Sequence, residues 1–449
     1  MIKSIFVLMW MTAILVFANQ ANGQSKPQLI VLTDIGGDTD DEQSMVRLLL
    51  YSDVIDIKGF CITSRLGHGH DVKPEILNKQ LQAYGRDYSM LLKHSIDYPH
   101  PEHLLSLVRN GLGNPQPLGQ GFDTPASNHI IEVVDNTDDI IHVAIWGGQR
   151  ELAQALWKVK ENRSESELNN FCDKIQVHAI GDQDGHREYI LKNFPKIHFV
   201  ADGFAYMGPY GVRELASFRG MYMTGDQSMQ DNEWVKKYIH GHGALSETYP
   251  VNGHGTIGMK EGDSPAFLGL IPNGLNVDIR PDWGGWGGRY RSIRPNLYID
   301  APDFVDGVAN ERHSVSQWRL DFQNDFLVRL QRCIKLPNEV NRHPIASFND
   351  DNGGQIYRRK VAAGSKLVLK VHPELKEKEP DGQDLFFDWK VYSEINGHLN
   401  IRYKIAKNDK SIKIWIPEQG SDIHVVLRVR DSGSPSLTSY RRAILEIVE

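Results

Sequence analysis

Between residue 28 and about residue 330 the chain alternates largely apolar strand segments with helical ones. No other feature restricts its fold as much. QLIVLT (28–33), IDIKGFCIT (55–63), IIHVAIW (140–146) and KIQVHAI (174–180) have the length and composition of strands. Residues 42–51, 73–88, 150–160 and 187–193 read as helices between and after them, with Pro74 suited to a first turn. Strands this apolar need cover on both faces. The alternation therefore predicts an α/β domain with a mainly parallel sheet and flanking helices. In such sheets ligands bind beyond the carboxyl ends of the strands. Those ends carry Asp34, Ser64, Gly147 and Asp182.

The pattern changes after Cys333. KLPNEVNRHP (335–344) reads as a linker, and short alternating strands follow at 366–372, 385–392, 411–416, 424–429 and 442–448. Turn signals such as Asp381-Gly382 separate them, which fits an immunoglobulin-like β-sandwich. At the other end, Lys3 is the lone charge of residues 1–23, and the apolar run Ile5–Phe17 leads to small residues at Ala21-Asn22-Gly23. The run is short for a bilayer span of about 20 residues, so a cleaved secretory signal is expected. The expected organisation is a signal peptide (1–23), an α/β domain (24–338) and a β-sandwich domain (342–449), in a secreted or periplasmic protein with no membrane span. A net charge of −7 argues against nucleic acid as a partner, because phosphate binding needs a basic face. Three cysteines exclude a disulfide scaffold. The oligomeric state stays open, a homo-oligomer included.

The strongest local signal is Thr33-Asp34-Ile35-Gly36-Gly37-Asp38-Thr39-Asp40-Asp41-Glu42. It places five carboxylates between a buried strand and a helix start. Carboxylates this close repel one another unless a cation sits among them, and hard oxygen donors suit Ca²⁺ or Mg²⁺. The blander reading is a solvated acidic turn that caps the helix.

The strand followed by Asp34…Asp40-Asp41 resembles the N-terminal signature of nucleoside hydrolases, with about two extra residues in the loop. More of the chain is similar to one branch, the nucleoside hydrolase-like domain of secreted proteins described as cellulose-binding, which carry an immunoglobulin-like C-terminal domain. The stretches that carry the likeness are 32–53, 146–156, 181–195, 217–222, 261–275, 280–290 and 423–442. The resemblance implies Ca²⁺ at the bottom of the pocket. It implies Asp34 as metal ligand and general base, Asp41 as a principal ligand, and Asp40 as a partner of a sugar hydroxyl. A backbone carbonyl from the turn around Arg150 (Gln149 to Glu151) would add a ligand, and Asp263 the last carboxylate. Asp38 lies in the inserted part and has no counterpart. No histidine precedes Asp263, so the leaving-group acid is unassigned; Glu261 is the substitute candidate, against an ordinary surface glutamate.

Further candidates come from the residues themselves. Asp182 and Asp184 follow a strand and are placed to bind sugar hydroxyls, or, for Asp184, to cap the next helix. Asn273, in a Gly-containing loop, binds sugar or builds the turn. Trp283 and Trp286 stand in the Gly-rich run 283–289 and offer aromatic platforms for a sugar, with Arg289 for an anionic group. The alternative is a loop packed by its own tryptophans. Two functions are therefore expected in order. The first is a Ca²⁺-dependent hydrolase of glycosidic bonds acting on a glycan-derived sugar or a nucleoside. The second is a non-catalytic module that holds an insoluble polysaccharide such as cellulose through the tryptophan loop.

Overall fold

The computed structural model describes residues 25–65, 72–112, 117–207, 216–251, 258–275, 280–351, 353, 356–397 and 400–448. The expected signal peptide (1–23) lies outside them. The first strand, β1 (Gln28–Thr33), shows why the sheet forms. Leu29 and Val31 enter one apolar core, Ile30 and Leu32 the other, and all four are fully buried. A strand apolar on both sides sits in the middle of a sheet covered on both sides.

The remaining strands of that sheet are β2 (Asp56–Ile62), β3 (Val108–Asn110), β4 (Ile141–Ile145), β5 (Ile175–Asp182), β6 (His198–Met207), β7 (Tyr290–Arg294) and β8 (Leu297–Asp300). Their order is β3-β2-β1-β4-β5-β6-β8-β7, parallel except for the β7–β8 pair. The helices as far as residue 193 are α1 (Thr39–Leu50), α2 (Pro74–His94), α3 (Pro101–Ser106), α4 (Pro125–Asp135), α5 (Arg150–Asn162), α6 (Glu165–Asp173) and α7 (Arg187–Asn193). α4, α5 and α6 cover the Ile30/Leu32 face through residues such as Ile130, Leu156 and Phe171. α1, α2 and the later helix Arg319–Gln331 cover the other face through Leu48, Leu81 and Phe326. The chain leaves β1 toward β2 on one side and later returns beside β1 as β4. The switch in direction opens a crevice at the carboxyl ends of these two strands.

A hairpin of β9 (Asp303–Val305) and β10 (Val308–Asn310) precedes the second, antiparallel-rich part. There β11 (Tyr357–Ala362), β12 (Lys366–Lys370), β13 (Leu385–Val391), β14 (Tyr403–Ile405), β15 (Ser411–Trp415), β16 (Ile423–Asp431) and β17 (Thr438–Val448) form two sheets, ordered β11-β17-β16-β13 and β12-β15-β14. Leu369, Ile412 and Ile414 of one sheet share a core with Trp389, Leu427 and Leu445 of the other. This is the expected two-layer architecture, except that β11 pairs with β17 in parallel. The segment expected to be a linker is tied down. Asn341 donates to Asp431 and to the Pro435 carbonyl, and His343 pairs with Asp325 at 2.6 Å.

Candidate metal and sugar site

β1 delivers Asp34 to the crevice, and the loop after it is shaped by its own hydrogen bonds. The Gly37 N–H donates to the Asp34 carbonyl at 2.9 Å. Gly36 has φ +86°, and a β-carbon there would collide with Lys73 and Ile76. Asp38 caps α1 by accepting from the Thr39 N–H at 2.8 Å. The first turn of α1 then carries Asp40 and Asp41. Thr33 Oγ1 donates to Asp41 Oδ1 at 2.5 Å, which fixes Asp41 against the strand end.

Asp263 arrives from far along the chain, in the turn before the helical turn Pro265–Leu268. One carboxylate oxygen from each of Asp40, Asp41 and Asp263 lies within 4.8 Å of the others. Burial first, and then the neighbouring carboxylates, push Asp41 and Asp263 well above the ordinary carboxylate range. Asp34 is raised to about 7 by burial and by Asp40 and Asp38, against the opposing effect of Arg65. Asp263 Oδ2 is buried and has no hydrogen-bond partner among the described residues. Three converging carboxylates and an orphaned acceptor are the donor set of a hard divalent cation, so the residues fit Ca²⁺.

Two cations in this site escaped the sequence reading. Arg65, just past the end of β2, has Nε 2.9 Å from Asp34 Oδ2. Lys260 bridges the loop: its Nζ pairs with Asp38 and lies 3.2 Å from Asp40 Oδ2. Adjacency of β2 to β1 was a usable signal for Arg65, since the ends of neighbouring parallel strands meet. Asp38, without a counterpart in the resemblance, thus acts as helix cap and as anchor for Lys260.

The Trp146-Gly147-Gly148 turn after β4 closes the crevice from the other side. A β-carbon at Gly147 would collide with the Asp34 carboxylate, and one at Gly148 with the Ser64 carbonyl and Asp184. The close approach therefore requires both glycines. Arg150 does not join the carboxylates. It is the first residue of α5, so its carbonyl points along the helix, away from the N-terminal end. Its side chain pairs with Glu151 at 3.0 Å. Asp184 accepts from the Arg150 N–H at 2.8 Å and from the His186 N–H at 3.1 Å. It therefore caps α5, the helix before it in sequence, rather than the helix after it. Asp182 accepts from the Gly185 N–H at 3.0 Å and lies 3.4 Å from Gln149 Nε2.

The remaining candidates are committed to the interior. Glu261 is fully buried in an ion pair with Arg47, Nε to Oε2 2.5 Å, and also accepts from Tyr249 (2.7 Å) and Ser264 (2.8 Å). Neither a surface glutamate nor a free proton donor describes it. Trp283 and Trp286 are 3% and 1% exposed. Trp283 packs edge-on against His424, and Trp286 Nε1 donates to Tyr440 Oη at 3.0 Å. His424 and Tyr440 belong to the C-terminal domain, whose docking buries the rings expected to face a sugar. Arg289 is paired with Asp303 at 2.5 Å and donates to the Pro302 carbonyl. Asn273 Oδ1 accepts from the Leu275 N–H at 3.0 Å, and its carbonyl accepts from Tyr440 N–H. It builds a turn that docks on β17. Asn276, in the same loop, lies outside the described residues.

A parallel sheet of this order, with aspartates gathered at its switch point and a β-rich domain behind, defines a nucleoside hydrolase-like protein. Residues 28–290 match the family described as cellulose-binding Sde182, nucleoside hydrolase-like domain, and residues 374–447 match the cellulose-binding protein Sde0182 C-terminal domain. The chain belongs to this family. Among solved structures it is similar to a nucleoside hydrolase-related protein from Saccharophagus degradans, described as associated with carbohydrate metabolism. That likeness has 28% identity and a TM-score of 0.78 over 94% of this chain and 100% of the other. A plant nucleoside hydrolase (15% identity, TM-score 0.34, 68% of this chain and 99% of that one) also matches. So does a purine-preferring ribonucleoside hydrolase from Gardnerella vaginalis (14%, 0.36, 68% and 98%). No curated protein matches the chain. Among the described residues no helix is long and apolar enough to cross a membrane.

Proposed function

We propose that this is an exported, Ca²⁺-dependent hydrolase of glycosidic bonds, acting on a sugar with vicinal hydroxyls. The single observation that carries this reading is the convergence of Asp40, Asp41 and Asp263 beside Asp34, with one Asp263 oxygen unpartnered among the described residues. Asp40, Asp41 and Asp263 would hold the ion. When bound, Ca²⁺ supplies positive charge that anchors a diol and acidifies a water in contact with it. Asp34 Oδ2 is held by Arg65, which leaves Oδ1 to accept a proton. Arg65 also biases that carboxyl toward the ionised form that a base needs. The Gly147 backbone walls the opposite side of Asp34 and keeps its carboxylate in place.

Export and the appended domain favour a glycan-derived sugar over a nucleoside. The family description favours a second reading, a polysaccharide binder without turnover. Burial of Trp283 and Trp286 removes the aromatic platform on which that reading was first based. The experiment is incubation of the whole chain with p-nitrophenyl glycosides, oligosaccharides and nucleosides, with Ca²⁺ and with chelator. Chelator-sensitive release that Asp34→Ala abolishes supports the hydrolase. Retention on insoluble glucan with no release of product by any substrate supports the binder.

A further inference from the structure

The two domains meet at several places, among them Asp321 with Arg428 and Tyr440, and one set of their contacts falls on a single segment of the first domain, Asn273 to Trp286. Strand β17 holds it at two places. On one side, Tyr440 N–H donates to the Asn273 carbonyl at 3.0 Å, and Arg442 Nε donates to the Leu275 carbonyl at 2.9 Å. A β-carbon at Gly274, φ +97°, would overlap the Tyr440 carbonyl, so the loop lies flush on the strand. On the other side, Arg442 Nη2 donates to the Gly284 carbonyl at 2.8 Å, and Trp286 Nε1 to Tyr440 Oη at 3.0 Å. Arg442 is fully buried, and among the described residues its oxygen partners are these two main-chain carbonyls of the other domain, with His424 Nδ1 3.3 Å from Nη1. Burying a guanidinium without a carboxylate in contact is costly, so this is an expensive way to join two loops.

The clamped segment leads directly to the acidic cluster. Gly287 packs on the Pro265 carbonyl and on Gly269, with no room for a β-carbon. The helical turn Pro265–Leu268 is thereby pressed from one side by Gly287. On the other side Phe267 meets Trp146, ring centroids 6.1 Å apart, next to the glycine that abuts Asp34. Asp263 lies two residues before this turn, and the Ala266 N–H donates to its carbonyl at 3.1 Å.

We infer that Arg442 and Tyr440 of the C-terminal domain are positioning residues for the metal site. They clamp the segment 273–287 and so hold Asp263 in register with Asp40 and Asp41. The C-terminal domain then completes the site and is not a detachable carbohydrate module. This rests on the metal reading above for its functional meaning, and on the packing alone for its mechanical part.

The test uses the full chain and two readouts, deuterium exchange of the amides of residues 263–275 and calorimetric titration with Ca²⁺. Arg442→Lys keeps the charge but replaces the two nitrogens that reach the two carbonyls by one, and Trp286→Phe removes the indole N–H together with part of the ring while keeping an aromatic side chain. Glu394→Ala, which removes the acceptor of the Phe304 N–H in the same interface outside the segment, is the control. The clamp variants are expected to exchange at least tenfold faster in 263–275 and to bind Ca²⁺ at least tenfold more weakly. The control is expected to stay within twofold of the unaltered chain in both. Exchange as slow as in the unaltered chain in both clamp variants overturns the clamp, as does a control that loosens the segment equally. If the unaltered chain binds no Ca²⁺, the metal reading falls, and the exchange readout still decides the clamp.

Discussion

The guanidinium Nε of Arg65 lies 2.9 Å from Oδ2 of Asp34, so the ends of the two neighbouring strands β2 and β1 meet in one ion pair. Burial raises Asp34 to about 7 even with this partner present. Removing the guanidinium in Arg65→Gln removes the influence that lowers it, so the carboxyl rises further. Turnover at pH 7 should fall, because a smaller fraction of the carboxyl is then ionised and able to act as base. The acid limb of the pH–rate profile should move to higher pH. A limb at the same pH as in the unaltered enzyme would remove Arg65 from this role.

Cation binding should appear in stability as well as in activity. A ligand that binds only the folded state adds about 2.7 kcal/mol at a concentration of 100 times its Kd. Thermal scans with Ca²⁺ should therefore show a raised Tm that chelator reverses. Asp41→Asn and Asp263→Asn should abolish the rise, while Asp184→Asn, whose partner is the start of α5, should keep it. A Tm indifferent to Ca²⁺ would count against the site.

The Arg47–Glu261 pair is fully buried and shares its oxygens with Tyr249 and Ser264. Breaking a buried pair from one side costs about 3–5 kcal/mol, because the remaining charge stays unpaired. Glu261→Gln should lose stability on that scale in denaturant titrations, while the folded fraction keeps its turnover. A stable but inactive variant would return Glu261 to the role of acid.

Trp283 is packed between domains, so Trp283→Ala should cost about 3–5 kcal/mol as a large-to-small core substitution. The folded fraction should bind insoluble glucan as the unaltered chain does. Selective loss of retention in a stable variant would place the ring in a glycan site.

Acid should destabilise the sheet through three histidines. His142, His178 and His198 lie on β4, β5 and β6 and line one cavity of about 50 Å³ with Pro281 and Ala266. Burial lowers them to about 4, 3 and 4 from an ordinary 6.5. A histidine depressed in the folded state takes up its proton on unfolding. Its stabilisation is thus complete above pH 6.5 and is lost as pH falls toward 4. Asp300 and Asp202, raised to about 7 and 6 by burial, contribute with the opposite sign. Comparing the chain with His142→Gln/His198→Gln isolates the histidine part. Between pH 6.5 and 4 the unaltered chain should lose more stability than the variant, and equal slopes would contradict the assignment.

How much of this was legible depends on where each residue finds its partners. β1 and α1 were readable because strand periodicity, glycines, cap and carboxylates are consecutive. All four of Asp34, Asp38, Asp40 and Asp41 reach the crevice or its rim. Asp263 required the family resemblance, because nothing within 200 residues of Asp34 in sequence ties it to that loop. Glu261, Arg289 and the two tryptophans look exposed in sequence, since charge and glycine surround them. Their partners, Arg47, Asp303, His424 and Tyr440, come from elsewhere in the fold.

The sequence by itself determined the alternation that makes a covered parallel sheet, the β-rich second part, and a carboxylate-dense turn at the end of the first strand. These depend on the burial of each element and on short-range repulsion, both written in adjacent residues. The tertiary structure decided which charges share the crevice and which face the tryptophan loop presents. An indole in a glycine-rich loop is satisfied by whatever surface docks on it. Here that surface is β16 and β17 of the C-terminal domain, and the loop became an interface rather than an open sugar platform.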